Sequence, residues 1–339
     1  MADKVRWGIL STGNIARQFA AGVATSRRCI VDAVGSRQRE SADAFARTHG
    51  IPHAFGSYRE LIRCPEVDAV YVALPNSEHH AWTVAALREG KHVLCEKPLA
   101  SNTAEAEDMF LAAEKHKRVL VEAFMYRSHP QTLAVMEAVK SGAIGELKLI
   151  RTSFCYRTRR IEGNIRFDKS LAGGGLMDVG CYCINFSRAL AGAEPVKVEV
   201  TGHLHESGVD DLAAGTLTFP NGIVASFTTG MTVHADNTAY VCGSEGYIEI
   251  PVPWKPTKDK SEFTIARATP PRMDAVGQPV PAAPPRERRM IPVELDLFGI
   301  EADDFAATIR DGSAPRITPA DSLGNMRVLD AMRRSLGVL

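Results

Sequence analysis

Net charge is what this chain lacks most plainly: 40 Lys and Arg residues are matched by 40 Asp and Glu. No overall field draws it onto nucleic acid or an anionic membrane, so neither is expected as a partner. No apolar run is long enough to span a bilayer, and the opening Met-Ala-Asp-Lys-Val-Arg-Trp-Gly shows neither an apolar leader core nor a cleavage site. A cytoplasmic protein is the expectation. The seven cysteines (Cys29, Cys64, Cys95, Cys155, Cys181, Cys183 and Cys242) are odd in number and lie mostly inside apolar stretches. That pattern argues against a disulfide framework and for a reducing compartment, with the cysteines as small core residues. Metal-ligand spacing is missing too, because Cys181 and Cys183 point to different faces of any helix and His79-His80 has no HExxH context. No metal is expected, and there is no internal repeat.

What is present is a core-forming chain of 339 residues, 45% of them hydrophobic, for which two domains fit better than one or three. Short apolar runs at 5–10, 30–34, 68–74 and 92–95 alternate with segments of helical spacing at 14–23, 39–49 and 79–89. Such alternation predicts a parallel sheet wrapped by helices. Asn102, with Glu105 three residues on, predicts the start of a further helix leading to a strand at 119–123. Residues 1–125 thus read as a doubly wound α/β domain. Beyond it, 147–156, 196–204, 213–219, 223–231 and 240–250 are strand-like without intervening helices, and Phe219-Pro220-Asn221-Gly222 is a turn between two of them. Residues 126–339 therefore read as an α+β domain on a mainly antiparallel sheet, with helices at 130–141 and 176–190 laid against it. The proline-rich, charged stretch 251–289 reads as surface loops. Helices at 296–311 and 319–337 close the chain, the final ones free to pack back on the first domain.

Residues 8–16 read Gly-Ile-Leu-Ser-Thr-Gly-Asn-Ile-Ala, where the first strand turns into the first helix. In dinucleotide-binding folds the free amides at that helix N-terminus face a pyrophosphate. Against the G-x-G-x-x-G/A pattern, Ser11 replaces the first glycine, Gly13 permits close backbone approach and Ala16 takes the close-packing position, with Thr12, Asn14 and Ile15 completing the turn. A tight turn that binds nothing has the same short sequence; the alternating strands and helices favour binding. At the end of the second strand Ser36 and Arg37 stand where a ribose-binding carboxylate is usual. A hydroxyl and a guanidinium suit the 2′-phosphate of NADP(H), which is expected over NAD(H), kept as the alternative. Arg39 competes with Arg37 for that role, and a solvated loop arginine is the plainer reading.

Glu96-Lys97-Pro98 follows the fourth predicted strand, at the carboxyl end of the sheet, where open α/β folds bind ligands; it is also a common turn. Further on, Gly173-Gly174-Gly175 opens a helix on which Asp178, Tyr182 and Asn185 fall at i, i+4 and i+7 amid apolar residues. A polar stripe on a largely buried helix must face something polar, and the three glycines are read as letting a ligand approach the backbone. Arg127 and His129 read equally as pocket-lining or domain-interface residues.

The glycine turn, the Leu74-Pro75-Asn76-Ser77-Glu78-His79 loop, Glu96-Lys97-Pro98, the Glu122-to-Arg127 segment and the Gly173-to-Tyr182 segment together resemble the Gfo/Idh/MocA oxidoreductase family over essentially the whole chain. Within it they are most similar to the branch of dimeric dihydrodiol dehydrogenase and NADP-dependent D-xylose 1-dehydrogenase. The resemblance implies a Rossmann domain and a domain with a large open, mainly antiparallel sheet whose outer face builds a homodimer or higher homo-oligomer. It implies Lys97, Asp178 and Tyr182 as catalytic residues, which with Arg127 contact substrate. Leu74, Pro75, Asn76, His79 and Glu96 are implied near the nicotinamide half of the cofactor, and a cis Lys97–Pro98 bond is suggested. The implied substrate is a sugar, polyol or dihydrodiol, with an aldose such as D-xylose oxidised at C1 as the leading case and an anhydroketose reductase as the alternative. A nucleotide-sensing regulator and an NAD-dependent glycosidase compete; the intact Lys97, Asp178 and Tyr182 argue against the sensor. Oxidising a carbinol needs a base, and a free tyrosine with pKa about 10 is too weakly ionised to serve. Lys97 beside Tyr182 is expected to lower the phenol pKa, while Asp178 holds the lysine or a second substrate hydroxyl.

Overall fold

A computed structural model describes residues 4–269, 272–280 and 283–339. The first half alternates strand and helix: β1 (Val5–Leu10), α1 (Asn14–Val23), β2 (Cys29–Gly35), α2 (Arg39–His49), β3 (His53–Phe55), α3 (Tyr58–Ile62), β4 (Ala69–Val72), α4 (Asn76–Arg88), β5 (His92–Glu96), α5 (Thr103–Lys115) and β6 (Leu120–Ala123). The strands form one parallel sheet in the order β3-β2-β1-β4-β5-β6. Winding reverses between β1 and β4, which opens a crevice at their carboxyl ends. β4 is buried along its whole length, as a strand covered on both faces must be. Asn102 caps α5 by accepting the Glu105 amide at 3.0 Å, and the Glu105 carboxylate reaches back to the Ser101 amide. The pieces missing from the sequence reading are β3 and α3, both too short to show a period.

The second half carries α6 (Pro130–Lys140), β7 (Leu147–Cys155), α7 (Cys181–Ala191), β8 (Lys197–Leu204), β9 (Asp210–Thr218), β10 (Val224–Gly230), β11 (Ala239–Gly243), β12 (Gly246–Ile250), β13 (Glu262–Arg267), β14 (Arg272–Met273), β15 (Pro279–Val280) and β16 (Arg286–Met290). Its main sheet has eight strands in the order β16-β13-β12-β11-β7-β10-β9-β8, antiparallel except for the β7–β10 pair. Gly222, at φ 82°, closes the turn expected between β9 and β10. Two expectations are corrected. Residues 240–250 are not one strand but two, folded at Ser244-Glu245, with Tyr240 paired to Glu249. The stretch 251–289 is not all loop: β13 joins the sheet and buries Phe263 and Ile265, and Trp254 is buried against α7. Among the described residues its prolines lie outside β13 and β16, and the charged residues of β16 are largely exposed, which is why composition misled.

The chain ends in α8 (Leu297–Asp311) and α9 (Pro319–Ser335), which return to the first sheet's helices. Phe298 packs on Phe19 of α1 and Phe305 on Trp7 of β1. Asp330 of α9 accepts from the Thr103 amide, and Arg333 donates to the Ser101 carbonyl. All seven cysteines are free. No helix among the described residues is long and apolar enough to cross a membrane.

Candidate active site

The glycine turn at the crevice is built for an anion. Ser11 adopts φ 132°, a conformation that favours glycine, held by its amide on the Gly35 carbonyl (3.1 Å) and its Oγ on the Gly13 amide (3.0 Å). α1 begins without a side-chain cap or an acidic residue in its first turn, and its first bonded amide is that of Arg17, on Gly13 O. The amides of Asn14, Ile15 and Ala16 have no intrahelical acceptor, which leaves a helix N-terminus open to a diphosphate. At the end of β2, Ser36 is buried with its Oγ toward the Gln38 amide. Arg39 pairs with Asp43 at 2.9 Å, whereas Arg37 is exposed, lies near Tyr58, and has no hydrogen-bond or ion-pair partner among the described residues. Of the two competing arginines, only Arg37 is free.

The loop from β4 to α4 and the turn after β5 form the crevice's other wall. Pro75 precedes the first turn of α4, and Asn76 donates from Nδ2 to the Ala172 carbonyl at 2.8 Å, joining this loop to the second half. His79 was expected beside the cofactor. Instead it is fully buried, with Nδ1 on the Pro98 carbonyl and Nε2 on the Leu74 carbonyl, both at 2.9 Å, and burial lowers its pKa. It fixes the two loops and does not reach the cleft. Glu96 is buried, accepts from the Tyr71 hydroxyl, and burial raises its pKa. The Lys97–Pro98 bond is cis.

Lys97 donates from Nζ to the Asp178 carbonyl at 2.8 Å and lies 3.7 Å from the Asp178 carboxylate. Asp178 sits in a widened π-helical turn, Leu176–Gly180, immediately before α7, a local irregularity common at functional sites. Its carboxylate also accepts from Tyr156 Oη at 2.5 Å and meets Arg166 Nε at 3.0 Å. Burial alone would raise this carboxyl; the Lys97 and Arg166 cations outweigh it and hold the pKa below the ordinary value. Burial acts to lower the Lys97 pKa, but Asp178 wins and raises it, so the ammonium stays charged. Three neighbours escaped the sequence reading: Tyr156 at the end of β7, Arg166 in an aperiodic loop, and Lys255, which stands within electrostatic reach of Lys97, Glu96, Asp178 and Arg166. Only the rigid frame Pro253-Trp254-Lys255-Pro256 was a usable signal.

The expected link between Lys97 and Tyr182 needs correction. The ammonium lies over the Tyr182 ring, 5.0 Å from its centroid, while the hydroxyl turns to the Met125 sulfur at 3.4 Å. Burial first, then the Glu96 carboxylate, push the phenol pKa far up instead of down. Lysine and tyrosine meet through a cation–π contact, and the ring is gripped by Phe124, Phe154 and Trp254. Nor is the polar stripe continuous. Asn185 is fully buried and accepts from Tyr126 Oη and Arg127 Nη1, away from Asp178. Of the two readings of Arg127, the contacts seen are those of an interface residue: it is buried and bound to Asn185 and Asp321, at 2.9 Å each, where α7 meets α9. His129 is buried as the N-cap of α6, accepting the Gln131 amide, with its pKa pushed down to about 4 by burial.

The glycine trio also has a different purpose from the one expected. A Cβ on Gly174, at φ 115°, would lie 2.4 Å from Asp210 Oδ1, and one on Gly173 would lie 2.4 Å from the Arg166 carbonyl. The glycines admit the buried Asp210, whose Oδ2 accepts the Leu176 amide at 2.6 Å, rather than a ligand. Gly174→Ala is therefore expected to destabilise the fold by roughly 1–3 kcal/mol, read by denaturant unfolding. Unchanged stability would mean that the loop relaxes freely.

Two family models cover most of the chain. Residues 5–124 match "Oxidoreductase family, NAD-binding Rossmann fold" and residues 132–249 match "GFO/IDH/MocA C-terminal domain". A mouse trans-1,2-dihydrobenzene-1,2-diol dehydrogenase is 38% identical over 257 residues, 75% of this chain and 77% of that protein. The chain belongs to the Gfo/Idh/MocA family. It groups with the dihydrodiol dehydrogenase branch of Gfo/Idh/MocA proteins and is an oxidoreductase with an NAD-binding Rossmann unit. Among solved Gfo/Idh/MocA-like structures, an aldose-aldose oxidoreductase from Caulobacter crescentus, complexed with glycerol, superposes with TM-score 0.84 at 28% identity, covering 98% of this chain and 97% of that one. A 3-ketoreductase from Actinomadura kijaniata, in complex with NADP and TDP-benzene, superposes equally, with TM-score 0.84 at 30% identity and 98% coverage of both chains.

Proposed function

We propose that this Gfo/Idh/MocA chain is an NADP(H)-dependent oxidoreductase that interconverts a carbinol and a carbonyl on a sugar or related polyol or dihydrodiol, with an aldose such as D-xylose at C1 as the first substrate to assay. The observation that carries it is the Lys97 ammonium, fixed by Asp178 at the carboxyl edge of the sheet that presents the open α1 amides. The α1 N-terminus would hold the diphosphate, Ser36 and Arg37 the 2′-phosphate, and the Leu74–Asn76 loop and Lys97 the nicotinamide end. A nicotinamide bound there supplies or accepts the hydride. Lys97 supplies the proton: its ammonium reaches the cleft while the Tyr182 hydroxyl is turned away, and Asp178 keeps it charged for protonating a nascent alkoxide. Tyr182 supports that ammonium with its ring face. The mouse dihydrodiol dehydrogenase, the Caulobacter aldose-aldose oxidoreductase and the Actinomadura 3-ketoreductase support the substrate class by their names. A homodimer through the outer face of the eight-stranded sheet belongs to the same reading and is checked by light scattering.

Assaying the purified protein with NADP⁺ and NAD⁺ against D-xylose, D-glucose, cyclitols and dihydrodiols, and with NADPH against the ketones, tests the proposal. No hydride exchange with any of them would overturn it. Oxidation needs the free amine of Lys97 and is expected to quicken with pH, by about tenfold per unit across the neutral range, while reduction stays level. A flat oxidation profile would exclude Lys97 as the proton carrier. Arg37→Ala is expected to weaken NADP(H) roughly 10- to 100-fold and NAD(H) much less, because the lost charged contact belongs to the extra phosphate. Equal losses in fluorescence titrations would remove the assignment. Tyr182→Phe keeps the ring under the ammonium, so turnover is expected to fall by less than the roughly hundredfold cost of losing a general acid.

A further inference from the structure

The substrate side of the cleft carries more positive charge than proton transfer requires. Lys97 and Arg166 converge on Asp178 at 3.7 and 3.0 Å, and Lys255 acts on both cations and on Asp178. The Lys97 and Arg166 cations hold the Asp178 carboxyl below its ordinary pKa; Glu96 is buried on the Tyr71 hydroxyl and burial raises its pKa. Three basic side chains thus share Asp178 and the buried Glu96. Positive charge gathered in a partly buried cleft is costly without a counter-ion.

Lys255 is not placed by chance. Trp254 before it is buried, stacked on Phe154 at 5.7 Å, 6.0 Å from the Tyr182 ring, and donates from Nε1 to the Ser153 carbonyl at 2.8 Å. Pro253 and Pro256 stiffen the segment on either side. Lys255 is exposed as a residue, yet among the described residues its ammonium has no hydrogen-bond or ion-pair partner. Partial desolvation, then repulsion from Lys97, lowers its pKa. Arg166 keeps nearly half of its side chain exposed after pairing with Asp178, so it has donors to spare for a planar or tetrahedral anion.

We propose that Arg166 and Lys255 form an anion-binding subsite, and that the physiological substrate carries a carboxylate or a phosphate besides its reacting hydroxyl or carbonyl. This deepens the reading above and rests on it for the sugar part of the substrate. An acidic sugar bridges the excess charge, its anionic group on Arg166 and Lys255 and its reacting oxygen toward Lys97. A neutral sugar leaves the two cations uncompensated.

Calorimetric titration of the NADP⁺-loaded enzyme with D-glucose, D-glucuronate and D-glucose 6-phosphate, at low salt, tests this. At least one anion is expected to bind tenfold or more tightly than glucose, and the arm that does so distinguishes carboxylate from phosphate. Lys255→Met and Arg166→Gln are each expected to shrink that preference about tenfold, and added salt to narrow it. Glucose binding as tightly as both anions, or a preference that survives both substitutions, overturns the subsite. Turnover of the same three sugars separates the two readings. Anion binding through Lys255 without hydride exchange counts against a sugar as the substrate and supports the subsite; exchange with glucose preferred over both anions does the reverse.

Discussion

Replacing Lys97 with Met is expected to reduce turnover roughly a hundred- to ten-thousand-fold, with smaller losses of cofactor affinity and stability, because Lys97 also meets the nicotinamide end and pairs with the buried Asp178 carboxylate, which keeps Arg166 as its partner. Met keeps the apolar stem and its packing over the Tyr182 ring and removes only the ammonium. Lys97→Arg keeps the charge but not the point-like donor, and should recover binding without recovering rate. The loss should exceed that of Tyr182→Phe by at least an order of magnitude, because the Tyr182 hydroxyl faces Met125. Parallel kcat and KM measurements decide it. If Tyr182→Phe proves the more damaging change, the phenol carries the proton and swings away from Met125 to do so.

The second large effect concerns stability. Burial raises Asp210 to about 7 and Glu122 to about 7, from 3.8 and 4.5 in the unfolded chain. The folded state therefore holds two protons that the unfolded chain releases at lower pH. Stability from these groups is complete below about pH 4 and is lost as pH rises through about 7, by roughly 4 kcal/mol for Asp210 and roughly 3 kcal/mol for Glu122. Half-buried His92 and buried His129, pushed down to about 4, act in the opposite sense in the acid range. The difference between variant and wild type is thus the quantity to read. An Asp210→Asn, Glu122→Gln double variant should gain stability relative to wild type as pH goes from about 5 to 8 in denaturant unfolding. A difference that stays constant over that range would show that neither carboxyl is protonated in the native state.

The α/β unit was legible because its signals are local: α1 and α2 begin and end where apolar spacing placed them, and Asn102 caps α5 through a bond between near neighbours. The site residues Lys97 and Asp178 were legible as polar groups in apolar surroundings, and the structure brings them together. What escaped was anything set by partners far along the chain. The sequence shows Gly174 but not Asp210 pressed against it, and it shows Arg127 but not Asp321, 194 residues away. The orientation of Tyr182 depends on the widened turn before it and on three aromatic neighbours, so the ring rather than the hydroxyl met the lysine. Arg166 and Lys255 reach the cleft from segments whose spacing carries no period, and Tyr156 from the last position of an expected strand, where nothing local shows that its hydroxyl meets Asp178.

The return of α8 and α9 to the first sheet has a consequence for how the chain comes off the ribosome. Trp7, among the first residues made, rests against Phe305, and Cys29 donates to the Ala302 carbonyl. Thr103 waits for Asp330. The first sheet is the earliest to be synthesised and the last to be covered, because its outer helices are encoded at the far end. At ordinary elongation speeds of about 5–20 residues per second, roughly 10–40 s separate the emergence of β6 from that of α9. During that interval the apolar faces of α1 and α5 have no lid, and they are the surfaces on which a nascent-chain chaperone is expected to act.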